Sequence, residues 1–196
     1  MSKRVFDLVF ASLGLLCLTP LLLLVALLIK LDSPGPVFFR QERMGRGFHP
    51  FHIYKFRTMV HNAPLRGGAI TFGADPRITK VGRILRKRKI DELPQLINVL
   101  RGQMSFVGPR PEVRRYVELF REDYEDILRV LPGITDLASL KYRYEAEILG
   151  HCEDPEEAYV RHILPEKMKL AKEYVRQPSF FFDISIILKT LLGLLR

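Results

Sequence analysis

The sequence predicts an α+β, helix-dominated protein with a membrane-embedded N-terminal helical segment, a small β-hairpin and amphipathic interfacial helices. Three observations carry this. Residues 8–29 are 22 consecutive uncharged residues, which as a helix reach roughly 33 Å, enough to cover a bilayer core. Two short strand-like runs flank Gly45-Arg46-Gly47, the pattern of a hairpin. Beyond residue 77 apolar residues recur at helical spacing. A chain of 196 residues suits one modest domain behind the membrane segment, dividing into 1–31 and 32–196. Its 13 Phe and 7 Tyr exclude a disordered chain.

The formal charge of +9 is unevenly spread. Residues 1–110 carry 18 basic and 6 acidic side chains, and residues 111–196 carry 13 and 16. An anionic partner is therefore expected on the first half. Cys17 and Cys152 cannot build a disulfide framework, which points to a reducing setting for the polar part.

Within the apolar segment, Thr19-Pro20 sits at the centre, and proline there removes one backbone hydrogen bond. Each half would reach only about 15–18 Å, roughly half the hydrocarbon thickness. Two topologies fit: a kinked spanning helix, or a helix-break-helix that enters and returns. Lys3 and Arg4 before the run, and Lys30, Arg40, Arg43 and Arg46 after it, draw both ends toward the cytoplasm. The run is too long for a signal-peptide core, and Leu31-Asp32-Ser33-Pro34-Gly35-Pro36 offers no cleavage site.

The hairpin is expected over residues 37–43 and 48–59. Strand alternation puts Ile53, Lys55 and Arg57 on one face, which in isolation reads as a solvated strand face. Residues 61–76, with Pro64, Gly67, Gly68, Gly73 and Pro76, form a loop. Next, Ile78, Val81, Ile84 and Leu85 fall within an arc of about 120° opposite Lys80, Arg83, Arg86 and Lys87, a basic amphipathic helix. No aromatic residue stands among the cations of residues 77–89, so anionic lipid headgroups rather than nucleic acid are the expected partner. The second half reads as helices over 112–131, 154–175 and 180–195. The last is too short for a comfortable span of about 20 residues and carries Asp183 and Lys189, so it should lie at the interface.

The dense constellation runs from Arg86 to Pro111. Locally, Asp91 reads as a helix N-cap, Glu92 as a first-turn acid and Pro94 as a tolerated first-turn proline. The same geometry suits phosphate chemistry: a helix start attracts phosphate, one carboxylate can hold Mg²⁺ through a phosphate oxygen, and the other is left to attack phosphorus. In Gly108-Pro109-Arg110-Pro111 two prolines restrict the backbone around an arginine, which makes either an anion clamp or a rigid surface turn. The five histidines show no metal-ligand pairing with a cysteine. There is no Gly-Lys-Ser/Thr phosphate loop and no Gly-x-Ser-x-Gly elbow.

Taken together, several stretches are specific in their order and spacing: Thr19-Pro20, Tyr54-Lys55-Phe56-Arg57-Thr58-Met59, Leu85-Arg86, Asp91-Glu92-Leu93-Pro94-Gln95-Leu96, Asn98-Val99-Leu100, Met104-Ser105-Phe106-Val107-Gly108-Pro109-Arg110-Pro111, Pro132-Gly133-Ile134-Thr135 and Ser179 to Thr190. Over nearly its whole length the chain resembles the monotopic phosphoglycosyl transferases, bacterial sugar transferases, of the small type that consists of the catalytic core. The resemblance implies transfer of a sugar phosphate from a UDP-sugar to polyprenyl (undecaprenyl) phosphate with release of UMP, an early membrane step in glycoconjugate and polysaccharide biosynthesis. It implies a re-entrant helix broken at Thr19-Pro20, held at the cytoplasmic face of the bacterial inner membrane. It further implies Asp91 as a nucleophile carrying a covalent sugar phosphate, Glu92 assisting near Mg²⁺, with both as metal ligands, and Lys55, Arg86 and Arg110 handling phosphate. Three positions depart from the family pattern: Leu131 where many members have Arg, Asp136 where Gly is usual, and Ala171 where Asp is frequent. Glu145 and Glu147 are the acids that would compensate. The rival reading is a noncatalytic, membrane-anchored basic binding module.

Overall fold

The computed structural model describes residues 3–63 and 75–194; Pro64, Gly67, Gly68 and Gly73 of the expected loop lie outside the described residues. The chain opens with α1 (Lys3–Asp32), one helix with Pro20 inside it. The interruption expected at Thr19-Pro20 is therefore no gap between two helices. Proline's fixed φ is helical, and only one donor is lost. The Thr19 hydroxyl folds back onto the Leu15 carbonyl at 2.7 Å.

At 1.5 Å per residue α1 is about 45 Å long, and one face of it is packed along its whole length. Ala11, with Leu15 and Leu18, joins Phe51, Ile53, Leu96, Val99 and Met104 in one apolar cluster. Val25 and Ile29, with Leu22 and Ala26, join Phe56 and Leu85 in another. Steps of three and four residues make this a single stripe. The opposite face is bare aliphatic surface, with Leu16 73%, Leu23 67% and Leu31 75% exposed.

Both ends of α1 are tied to the same body. At the start, Lys3 Nζ meets Asp183, the Val107 carbonyl (2.9 Å) and Tyr174 Oη (3.0 Å). Arg4 donates to the carbonyls of Val99 (2.6 Å) and Leu100 (2.9 Å). Buried Asp7 accepts from Ser105 Oγ and the Phe106 amide. At the end, Arg57 Nη2 donates to the carbonyls of Ile29 (3.3 Å) and Ser33 (2.6 Å), and Asp32 accepts from the Val81 amide at 3.1 Å.

The hairpin pairs β1 (Phe38–Met44) with β2 (Pro50–Phe56), Arg40 opposite Tyr54 and Phe39 opposite Lys55. Its turn uses positive φ at Gly47 (65°) and Phe48 (61°). Because β2 stops at Phe56, the alternation stops too. Arg57 does not share a solvated face with Lys55; it is 5% exposed and belongs to the α1 latch.

α2 (Lys80–Lys87) is capped by Thr79, whose hydroxyl accepts from the Gly82 amide. Its buried face is Gly82 and Leu85, while Ile84 is 64% exposed and Arg86 turns inward to donate to Thr58 Oγ1 at 2.8 Å. The expected division of this helix is thus rotated. Gly82 has no side chain and lies against the Thr58 backbone, where a Cβ would stand 2.1 Å from the Thr58 oxygen.

A 3₁₀ turn, Ile90–Gln95, leads into α3 (Leu96–Leu100), then β3 (Ser105–Val107), α4 (Arg114–Leu119) and α5 (Arg121–Ile127). The single helix expected over 112–131 is split at Phe120, whose backbone leaves helical geometry (φ −122°, ψ 43°). β4 (Gly133–Thr135) returns to pair parallel with β3, Ser105 opposite Gly133 and Val107 opposite Thr135. Strands this short carry no readable alternation, and the sequence pattern missed them. Then follow α6 (Leu137–Lys141), α7 (Glu145–Gly150), α8 (Pro155–Ala158), a wide π turn over Tyr159–Ile163, α9 (Leu164–Arg176) and α10 (Phe180–Leu194). Met44, Tyr116, Val117, Tyr124, Ile127, Leu149, Tyr159, Leu164 and Met168 form the core of this helical half. α10 buries Ile186 and Asp183 and leaves Phe181 (84%), Leu188, Leu191 and Leu192 exposed. Phe180 meets Phe6 edge-on at 5.5 Å, so the bare apolar surfaces of α10 and α1 adjoin.

Candidate active site

The 3₁₀ turn that carries Asp91 and Glu92 is set up by Lys89, which adopts the left-handed conformation (φ 55°, ψ 19°). A non-glycine residue held there stores strain, and such residues cluster at functional sites. Asp91 is therefore the second residue of a 3₁₀ turn, not the N-cap of an α-helix, and the site is built from side chains rather than a helix start.

β2 packs against this turn and delivers Lys55 Nζ to Glu92 Oε1 at 2.8 Å. From the other side, the Gly-Pro-Arg-Pro turn delivers Arg110 as a fork: Nη2 to Glu92 Oε1 at 2.5 Å and Nη1 to Oε2 at 3.3 Å. Arg86 stands behind, on α2, fixed by Thr58. Four expected site residues, Lys55, Asp91, Glu92 and Arg110, are thus one cluster, and the Arg86 charge acts on Asp91. Thr19 and Pro20 lie exposed in mid-α1 and take no part in it.

The two carboxylates differ. Burial pushes Glu92 up, but the Arg110 and Lys55 cations bonded to it outweigh this and hold it well below the usual range. Asp91 is 8% exposed, and its Oδ1 has no hydrogen-bond partner. Burial first, and the Glu92 charge second, raise its pKa against the pull of Lys55 and Arg86. Burial likewise lowers Lys55 against the pull of Glu92. Adjacent acids pushed in opposite directions are a mark of divided chemical roles. Glu92 is an anchored, ionised counter-charge; Asp91 offers a more basic oxygen that nothing in the protein satisfies.

Among the described residues no three His, Cys, Asp or Glu side chains gather as a cation cage. Mg²⁺ is commonly held by one or two carboxylates together with substrate phosphates. The unpartnered Asp91 oxygen suits such an ion, whereas both Glu92 oxygens are already bonded to cations.

Behind Arg110 lies a layer that sequence reasoning missed. Glu112, 8% exposed, accepts from Tyr159 Oη at 2.6 Å and Arg43 Nη1 at 3.3 Å. Lys167 approaches Tyr159 and pairs with Glu145. These contacts join residues dozens of positions apart, and no local pattern announces them. Ala171, Asp136, Lys167 and Arg110 line one small cavity. Of the acids named for the Ala171 departure, Glu145 is therefore beside this layer, while Glu147 is exposed. Leu131 contributes its carbonyl, against which Gly108 packs too closely for any side chain, 2.4 Å from a Cβ there.

The chain is similar to several known proteins. The chain is 39% identical, over 96% of its length, to the UDP-N-acetylgalactosamine-undecaprenyl-phosphate N-acetylgalactosaminephosphotransferase of Aeromonas hydrophila, and spans 42% of that protein. It is 43% identical over 97% of its length to the undecaprenyl-phosphate glucose phosphotransferase of Komagataeibacter xylinus, and spans 35% of it. It is 40% identical over its full length to the UDP-glucose:undecaprenyl-phosphate glucose-1-phosphate transferase of Caulobacter vibrioides, spanning 70% of that protein. The chain thus covers less than half of the first two relatives. A model of bacterial sugar transferases matches residues 1–196, and the chain belongs to the bacterial sugar transferase family.

Proposed function

We propose that the protein transfers a sugar phosphate from a UDP-sugar to a polyprenyl phosphate, of which undecaprenyl phosphate is the form named in the relatives, by way of a covalent intermediate on Asp91. The observation that carries this is a buried carboxylate oxygen with no partner beside a second carboxylate pinned by two cations. In the first step Asp91 attacks the sugar-bearing phosphorus, and the bond to the bridging oxygen breaks as UMP leaves. In the second, the polyprenyl phosphate oxygen attacks the same phosphorus and the Asp91 carboxylate is regenerated. Lys55 and Arg110 face the charge that develops on the phosphoryl oxygens, and Arg86 adds to that field. Mg²⁺ would be held by the unpartnered Asp91 oxygen together with substrate phosphates, Glu92 remaining with its two cations, and when bound would neutralise diphosphate charge. Splitting the transfer lets one site serve a soluble donor and then a lipid acceptor.

The proposed setting is the cytoplasmic face of the bacterial inner membrane, with α1 re-entrant. Its support is that both ends of α1 and its inner face lie on one body. A helix so fastened cannot carry its ends to opposite sides of a bilayer unless the body goes with it. The exposed Lys80, Arg83 and Lys87 of α2 suit anionic headgroups.

UMP release from a panel of UDP-sugars with undecaprenyl phosphate and Mg²⁺ tests the reaction. Activity retained in Asp91→Asn would rule Asp91 out as nucleophile, and peptide mass after trapping with labelled donor reads the modified residue directly. The binding-module alternative expects the reverse: function lost on charge reversal of Lys80, Arg83 and Lys87 and kept in Asp91→Asn. Cysteines placed at positions 2 and 35 should both be labelled from one side of the membrane; labelling from opposite sides would end the re-entrant assignment.

A further inference from the structure

We infer that Asp136 is the positioning residue for Arg110, a single buried carboxylate that ties the Gly-Pro-Arg-Pro turn to the start of α6 and so aims the guanidinium at the reacting phosphates. The catalytic part of this inference rests on the function proposed above; the structural part does not.

The parallel pairing of β3 with β4 brings the two segments side by side. The Gly108 amide donates to the Thr135 carbonyl at 3.2 Å, and the Gly133 amide donates to the Pro109 carbonyl at 3.0 Å. Pairing ends there. Across Pro109-Arg110-Pro111, prolines have no N–H, so Arg110 holds the only amide donor. That amide donates to Asp136 Oδ2 at 3.0 Å, and the other oxygen, Oδ1, accepts from the Ser139 amide at 2.6 Å as the cap of α6.

Asp136 is 3% exposed, in extended backbone (φ −157°, ψ 179°). With each oxygen bonded to an amide it is placed to hold rather than to react. Hydrogen bonds to an ionised acceptor are the stronger kind. Pro111 narrows the backbone choices of Arg110, and the Asp136 bond adds a fixed partner for its amide, so the turn is tied to α6 at the arginine itself. Its negative charge also favours the Arg110 cation, adding to the larger effect of Glu92. Misplacement of a charge-stabilising group by about 1 Å costs rate steeply.

Serine at this position separates two roles. Its hydroxyl still caps α6 through the Ser139 amide, but one short side chain cannot also reach the Arg110 amide. In full-length protein in detergent, with ¹⁵N-labelled arginine and serine, Asp136→Ser is expected to speed hydrogen exchange at the Arg110 amide at least tenfold. Exchange at the Ser139 amide and the melting temperature should stay near wild type. Wild-type protection of the Arg110 amide in Asp136→Ser would overturn the inference whether or not the protein proves to be a transferase. On UMP release, Asp136→Ser is expected to lower kcat/KM for the UDP-sugar roughly tenfold and to have no further effect in an Arg110→Ala background. An equal loss in that background would show that Asp136 acts independently of Arg110. Should wild type release no UMP from any donor, the proposed reaction falls, and the exchange result still decides the positioning role.

Discussion

Replacing Gly82 with alanine sets two effects of opposite sign against each other. Gly82 lies inside α2 with ordinary helical φ, so propensity alone favours Ala by about 1 kcal/mol. Packing argues the other way. The new Cβ would stand 2.1 Å from the Thr58 oxygen, 2.7 Å from its carbonyl carbon and 2.8 Å from its Cα. All three are backbone atoms, and that same oxygen accepts the Thr79 amide just before the helix, so none can swing aside. Restoring van der Waals contact moves α2 outward by roughly 1 Å, which opens the site of Leu85, 3% exposed, and stretches the 2.8 Å bond from Arg86 to Thr58. Overpacking of this kind costs about 1–3 kcal/mol, and here it should exceed the propensity gain. A net loss of up to about 2 kcal/mol corresponds to a fall in melting temperature of up to about 8 °C for a chain this long. Circular dichroism at 222 nm reads it directly, and the sequence has no tryptophan for a fluorescence readout. Because Arg86 moves with the helix, UMP release should fall as well. A Gly82→Ala protein that melts above wild type would refute the argument that backbone contact, rather than propensity, governs this position.

Two further predictions concern the carboxylates. In the proposed reaction Asp91 attacks as the anion, and its pKa is raised above the ordinary 3.8 by burial and by Glu92, so activity should fail on the acid side at a pH above the normal aspartate range. Glu92→Gln removes the neighbouring negative charge and leaves Lys55, Arg86 and Lys89 to favour the Asp91 anion, so a ¹³C-carboxyl titration of Asp91 should shift to lower pH; an upward shift would contradict the charge assignment. Glu92 itself is held low, so it stabilises the fold above its unfolded value of about 4.5 and surrenders that stabilisation as pH falls. Tyr159→Phe strips the 2.6 Å donor from buried Glu112 and leaves it Arg43; the expected cost is about 2 kcal/mol, a drop of about 4–8 °C by the same thermal scan.

What the sequence announces, and what it does not, follows the range of the forces involved. Asp91, Glu92 and Arg110 stand out because their residue types and spacing are chemical, whereas Lys55 reads alone as a solvated strand residue and enters only through the family resemblance; the fold brings all four together. The orientation of α2 is different: the helical wheel puts Ile84 inside and Arg86 outside, but one backbone contact at Gly82 turns the helix and exchanges them. Strand alternation fails at Arg57 because pairing ends one residue earlier. The cap expected at Asp91 yields to the left-handed Lys89. Glu112, Tyr159 and Asp136 act through partners far along the chain, a range at which periodicity carries no information.

The stripe of α1 that faces the body has a practical bearing on how the protein can be handled. Deleting the helix to obtain a water-soluble fragment would uncover Phe51, Ile53 and Leu96 at one end and Phe56 and Leu85 at the other. It would also take the Ile29 carbonyl and the Asp32 charge away from Arg57, which is almost fully buried. The truncated chain would exchange one greasy helix for two exposed hollows and a stranded charge. The detergent or lipid that such a deletion was meant to avoid would then be needed to keep the remainder folded.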